Sequence, residues 1–137
     1  MLMNIIVCVD NGLGMLFNRR RQSRDSELNK RVLQLAGSST LWMNDYTARM
    51  FAGMDCSNIR TDALFMQLAA PGDWCFVEDP ALLSDISGVE KLVLYRWNRS
   101  YPSDRKLPLD LSLYMPESVY EFSGSSHSCI TEEVYRL

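Results

Sequence analysis

The sequence predicts one α/β domain in three layers: a mixed, mostly parallel sheet with helices on both faces and a C-terminal antiparallel hairpin. Three observations carry that expectation. Apolar runs rich in β-branched and aromatic residues (MNIIVCV, TLWM, WCFV and KLVLYRW) read as core strands. Amphipathic, capped segments separate the first three, and that alternation implies parallel strands joined by crossovers. The end of the chain instead alternates apolar and polar residues on either side of a Ser/Gly-rich turn, the pattern of a hairpin at a sheet edge.

Each element has a local reason. Residues 3–9 are continuously apolar and stop at the turn signal Asp10-Asn11-Gly12. Residues 11–24 form a long polar loop with two glycines and four arginines. Asp25 or Ser23 caps a helix that runs to Ala36, with Leu28, Val32 and Leu35 on one face and Gly37 ending it. Residues 40–43 are a short strand, and Asn44 or Asp45 caps a helix over 46–53. Residues 55–60 read as a connection. Thr61 caps a third helix over 62–70, which Pro71-Gly72-Asp73 breaks. Strands follow at 74–77 and 91–97, with a short helix or turn at 80–86 between them. Residues 99–110 hold two prolines and read as an exposed loop. Strands at 118–122 and 130–136 close the hairpin.

Composition sets the outer bounds. With 137 residues, 47% hydrophobic and 23% charged, the chain suits one domain, and no repeat or linker divides residues 1–137. A chain of this size buries roughly two-thirds of its unfolded surface. The net charge of −3 supplies no basic field for nucleic acid, so any anion site must be local. No apolar run approaches the ~20 residues of a membrane span. Residues 1–10 have neither the charged start nor the cleavage site of a signal peptide. Cys8, Cys56, Cys75 and Cys129 form no C-x-x-C pair and read as reduced thiols of a cytoplasmic protein. One histidine and these cysteine spacings suit no zinc pattern.

The candidate site gathers where parallel strands end, because open α/β sheets bind ligands outside the carboxyl ends of their strands. Asp10-Asn11, Asn44-Asp45 and Glu78-Asp79 each follow an apolar run directly. Clustered, such carboxylates suit a hard cation such as Mg²⁺; helix capping and turn chemistry explain them as readily. Residues 19–25 (RRRQSRD) put four guanidiniums within six residues of an acidic protein. Arg20, Arg21 and Arg24, with Gln22 beside them, suit a phosphate or carboxylate, and a solvated charge run is the plainer alternative. Asp25 reads either as a buried carboxylate with raised pKa, fit for proton transfer, or as an N-cap with no chemistry. Trp42, Tyr46, Tyr95 and Trp97 offer aromatic walls or core. His127 reads as an exposed residue of the hairpin turn.

The order of elements resembles the dihydrofolate reductase fold, and so do several local sequences. Residues 3–10 resemble the family's first strand, and Leu13-Gly14-Met15 the start of its mobile loop. Asp25, eleven residues after Gly14, is similar in placement to the family's pocket acid. Thr40-Leu41-Trp42-Met43-Asn44 resembles the strand entering the cofactor-binding helix. Residues 91–95 with Asp104 and Pro108 resemble the penultimate strand and its loop, and residues 126–136 the final hairpin. The resemblance implies a small-ligand cleft and NADPH as cofactor. Three segments depart from it. Arg20-Arg21-Gln22-Ser23-Arg24 stands in place of a Pro-Trp segment, and Asn44-Asp45 in place of Gly-Arg. Glu78-Asp79-Pro80 replaces the Gly-Gly pair at the cofactor pyrophosphate, where two carboxylates repel rather than cradle it.

Three functions follow as expectations. The first is a divergent domain of this fold binding a small anionic or heterocyclic ligand, with an NADPH-dependent reductase as its enzymatic form. Its cleft residues are Asp10, Arg20, Arg21, Gln22, Arg24, Trp42, Asn44, Tyr46, Glu78 and Asp79, with Asp25 catalytic. The second is a Mg²⁺-dependent phosphoryl-transfer or nuclease-type enzyme on Asp10, Asp45 and Glu78 or Asp79. The third is a non-catalytic protein that pairs with a partner, or with its own copy, through residues 98–110 and the edge hairpin.

Overall fold

The computed structural model describes residues 2–137. The chain forms strands β1 (Met3–Val9), β2 (Gly14–Phe17) and β3 (Arg20–Arg21), helix α1 (Ser26–Ala36) and strand β4 (Leu41–Met43). Helix α2 (Asp45–Ala48), strand β5 (Ile59–Thr61), helix α3 (Phe65–Leu68) and strand β6 (Trp74–Phe76) follow. Strands β7 (Val89–Arg96), β8 (Arg105–Lys106), β9 (Ser118–Phe122) and β10 (Ile130–Arg136) complete the chain.

Seven strands make the main sheet, in the order β5-β4-β6-β1-β7-β10-β9. The first five are mutually parallel, whereas β10 runs antiparallel to both β7 and β9. This is the mixed, mostly parallel sheet that the strand pattern implies. Alternation along β1 divides its side chains between two cores. Ile5, Val7 and Val9 pack with Phe65, Leu83, Leu92 and Leu94 on one face. Ile6 packs with Leu28, Val32 and Ala36 of α1, and with Phe51, Phe76 and Trp97, on the other. Burial on both faces is why this strand reads as an unbroken apolar run.

Four expectations change. Residues 11–24 are not an open loop. Asn18 and Arg19 both adopt positive φ (50° and 62°), the two-residue turn whose twist suits a tight hairpin, and β2 and β3 flank it. Residues 99–110 contribute β8, which pairs with β2 to make a second, three-stranded sheet. The connection at 55–60 leads into β5 at the edge of the main sheet. The second and third helices are short: α2 passes into a 3₁₀ turn, Arg49–Phe51, and α3 starts only at Phe65. Asp62 accepts the Leu64 N–H in a local turn, which keeps residues 62–64 out of the helix. No helix among the described residues is long and apolar enough to cross a membrane, and all four cysteines are free thiols.

Candidate functional site

The carboxyl ends of β1, β6 and β7 open on one side of the sheet, and the β2–β3 hairpin folds over them. Beneath it lies a narrow inner cleft with about 20 Å³ of free space, with Cys8, Met15, Phe76, Val77 and Trp97 among the apolar walls and Arg21, Gln22, Ser23, Arg24 and Glu78 at the polar ones. Chain direction explains the opening. After β1 the chain runs to β4 on one side of the sheet, and after β6 it crosses to β7 on the other. Strands leaving to opposite sides create a crevice at their carboxyl ends.

Arg21 and Glu78 close one end of this cleft. Arg21 donates through Nε to Glu78 Oε2 at 2.9 Å and through Nη2 to Oε1 at 3.0 Å. The guanidinium carbon stands 4.0 Å from the centre of the Tyr46 ring, and Nη2 also donates to the Tyr46 carbonyl. Thr47 adds a hydroxyl donor to Glu78 at 2.8 Å. Burial lowers the Arg21 pKa, but the hydrogen bonds and charge of Glu78 outweigh it, and the net shift is upward. Beyond the pair lies an outer, more open cavity touching Asn44, Tyr46, Glu78 and Asp79, with Arg19 and Arg105 on its rim. Arg20 faces a third depression with Gln22 and Tyr101.

Asp25 lies next to the cleft-lining residues Ser23 and Arg24 but is itself buried behind them. It caps α1: its Oδ1 accepts from the N–H groups of Glu27 and Leu28. The hairpin turn between β9 and β10 folds onto the same carboxylate. Ser125 donates its N–H and hydroxyl to Oδ1, and Ser126 donates its N–H and hydroxyl to Oδ2. His127 Nδ1 lies 3.0 Å from Oδ2. A Cβ at Gly124 would collide with Oδ2, so only glycine lets the turn come this close. Burial is the largest influence on Asp25 and raises its pKa. The donors of Ser125, Ser126, His127 and Leu28 together overcome it and hold the carboxyl well below the usual range. Asp25 is therefore ionised and an acceptor only, not the raised-pKa acid that was one of its two sequence readings.

His127 is the buried polar residue whose place the sequence did not reveal. It is 3% exposed, not an open turn residue. Its ring stacks on Trp97 with centroids 4.5 Å apart. Its Nε2 lies 3.1 Å from Ser23 Oγ and 3.0 Å from Tyr101 Oη. The only local hint was the chain's one histidine among serines able to donate to a buried carboxylate.

The remaining expected site residues divide. Asp10 is buried beneath the β2–β3 hairpin and accepts from the N–H groups of Gly12, Gly14 and Tyr101 and from Gln22 Nε2. Burial raises its pKa, and those donors bring it below the ordinary value. Asn44 caps α2 through Thr47 N–H, and Asp79 caps the 3₁₀ turn Pro80–Leu83. Trp42 is not in the cleft: its indole donates to Asp73 Oδ2 at 3.0 Å, and its side chain packs on the Ile5–Val7 face. Asp10, Glu78 and Asp79 are thus committed to separate partners. Among the described residues no three His, Cys, Asp or Glu side chains come together to hold a metal ion. Cys8 lines the cleft, but burial and then the Glu78 charge push its thiol well up, which keeps it protonated.

No protein-family model matches the sequence, and no curated protein matches it either. The fold has a clear counterpart among solved structures. The chain is similar to a dihydrofolate reductase from Enterococcus faecalis complexed with NADP(H) and RAB-propyl. The TM-score is 0.70 and the identity 10%, over 98% of this chain and 95% of that one. The fold is that of dihydrofolate reductase, as the order of elements implies.

The cofactor implied by that fold can be tested against the residues present. Glu78 and Asp79 stand where the family has its glycine pair. Glu78 is neutralised by Arg21, and Asp79 spends one oxygen on the Ala81 N–H. Neither side chain presents a donor to a pyrophosphate, and Asp79 presents charge of the same sign. The donor set does not fit a nicotinamide dinucleotide.

Proposed function

We propose that this chain binds a small anionic or heterocyclic molecule in the inner cleft, without a nicotinamide dinucleotide. The supporting observation is an unmet polar demand beside an apolar floor. Gln22 Nε2 donates to Asp10 and to the Pro102 carbonyl, which fixes the amide orientation and leaves Oε1 buried without a partner. Leaving such an acceptor unsatisfied costs about 1–3 kcal/mol, and a ring N–H or hydroxyl supplies what it lacks. On the same cleft, Arg24 has no carboxylate partner among the described residues, while Cys8, Phe76, Val77 and Trp97 offer a surface for a flat apolar body. Small-molecule sites combine such apolar surfaces with a few polar groups.

Thermal unfolding in the presence of benzoate, nicotinate and inorganic pyrophosphate tests this. Saturable stabilisation by at least one of them, weakened by Arg24→Ala, is the expected result. No saturable shift with any of the three contradicts it. Millimolar NADPH is expected to leave the transition where it is; a saturable rise there restores the reductase reading.

A second reading rests on the sheet edge. Strand β9 is unpaired on its outer side. Val119 and Tyr120 on it, and Leu113 and Met115 before it, are at least half exposed. An apolar open edge of this kind suits pairing with a second copy. Light scattering over a concentration series separates a dimer from a monomer.

A further inference from the structure

We infer that Ser23, His127 and Asp25 form a nucleophilic relay at the cleft, with Ser23 Oγ the attacking atom and a small carboxylic ester the class of substrate. The inference rests on the reading of the inner cleft as a ligand seat, because Ser23 lines that cleft.

The geometry has the links that such a relay needs. Asp25 Oδ2 lies 3.0 Å from His127 Nδ1, and His127 Nε2 lies 3.1 Å from Ser23 Oγ. The ionised carboxylate can only accept, so it fixes the neutral imidazole with its proton on Nδ1. Nε2 then carries the lone pair, and the hydroxyls of Ser23 and Tyr101 are the two donors that face it. Ser126 Oγ also stands 3.1 Å from Nδ1, and Tyr101 Oη 3.0 Å from Nε2. The Trp97 ring against one face of the imidazole fixes its plane. The acid is itself held by backbone N–H groups and hydroxyls, so it orients the base without being consumed. Unlike Asp25 and His127, Ser23 is only partly buried, which leaves its hydroxyl within reach of the cleft.

The chemistry balances with ester and water alone. Ser23 Oγ bonds to the ester carbonyl carbon while its proton passes to Nε2. The C–O bond of the ester then breaks, and the leaving alcohol takes that proton. Water next attacks the seryl ester, gives its proton to Nε2, and the acid departs as the proton returns to Ser23 Oγ. Once protonated, Nε2 donates, and Tyr101 Oη is placed to accept. Arg24, on the same cleft, is the cation available to the developing oxyanion.

The test is covalent labelling of the full chain by an alkyl fluorophosphonate, read by peptide mass spectrometry. A single adduct on Ser23 is expected, absent in Ser23→Ala and formed about 100-fold more slowly in His127→Asn, a typical loss when a positioned base is removed. His127→Asn can fail to fold, so Ser23→Cys supplies an independent readout. Next to a free imidazole, the introduced thiol should react with iodoacetamide near neutral pH at least 10-fold faster than the native Cys56 and Cys129. Folded wild-type protein with no Ser23 adduct overturns the relay. So does equal labelling of folded wild type and His127→Asn, or a thiol at position 23 no faster than the native ones. A Ser23 adduct without saturable stabilisation by benzoate, nicotinate or pyrophosphate leaves the relay standing and removes the ligand reading. Stabilisation by benzoate without an adduct does the reverse.

Discussion

Two acids, Glu78 in the cleft wall and Asp25 buried behind it, are held by opposite means. Asp25 is surrounded by neutral donors: backbone N–H groups, two serine hydroxyls and an imidazole. Glu78 is held by a guanidinium, with one threonine hydroxyl in support. The side chain of Asp25 is fully shielded, whereas Glu78 keeps 12% of its exposure and Arg21 17%. The first arrangement joins two distant pieces of chain: the start of α1 with its cap, and the turn between β9 and β10. The second joins a two-residue strand to the end of β6. A carboxylate with many neutral donors is a fixed point, because no single movement frees it. A carboxylate with one cation can exchange partners, because an incoming anion offers the guanidinium the same bidentate contact. The acid behind the cleft, with its histidine, is therefore the rigid one, and the acid in the cleft wall, with its arginine, the changeable one.

The largest effect that breaks this comparison is at the rigid acid. Asp25→Ala strands the donors of Ser125, Ser126 and His127 and removes the cap of α1. About 3–5 kcal/mol of stability should be lost, as measured by urea unfolding. The same corner governs acid sensitivity. The folded-state pKa of Asp25 is depressed, so its stabilisation is present above the unfolded value of about 3.9 and is lost as pH falls below it. Urea midpoints between pH 5 and pH 2 should fall more steeply for wild type than for Asp25→Asn.

At the changeable acid the effects are smaller and reversible by design. Arg21→Met alone leaves Glu78 without its cation and should cost about 1–3 kcal/mol, discounted from a fully buried pair because both side chains touch solvent. Adding Glu78→Leu should restore stability to within about 1 kcal/mol of wild type, a positive coupling in a double-mutant cycle. An additive cycle would mean that the two side chains stabilise the fold independently. Gly124→Ala sharpens the contrast from the rigid side. Its Cβ collides with the Asp25 carboxylate, and a cost of about 1–3 kcal/mol in unfolding free energy is expected where nothing can give way. Smallest is the salt response. Raising ionic strength from about 0.05 to 0.5 M should narrow the stability gap between wild type and Arg21→Met by a few tenths of a kcal/mol, and leave the gap to Gly124→Ala unchanged.

What the sequence made legible follows the same division between local and distant causes. Strand β1, helix α1 and the final hairpin are readable because their signals are local: a continuous apolar run, a cap with Leu28 and Val32 on one face, and period-two alternation. The small sheet was not, because its strands are two to four residues long and Gly14 pairs with Lys106 across the chain. No hydrophobic period develops over so short a stretch. The cleft's position was legible from Asp10 and Glu78 at the ends of apolar runs. Its chemistry was only half legible. Residues 19–24 announced positive charge, but which arginine meets Glu78 depends on the turn at Asn18-Arg19. His127 was missed because a serine-rich turn reads as solvent-exposed, and its burial comes from Asp25, Ser23 and Trp97 far away in sequence.

A heteronuclear NMR titration with benzoate reads whether the inner cleft seats a small ligand. Saturable shifts of the Arg21 and Arg24 guanidinium signals and the Trp97 indole signal are expected, while the Ser125 and Ser126 amides around Asp25 barely move. Shifts that never saturate, or that saturate at exposed arginines such as Arg60 and Arg105 while Arg21, Arg24 and Trp97 stay still, would contradict that reading.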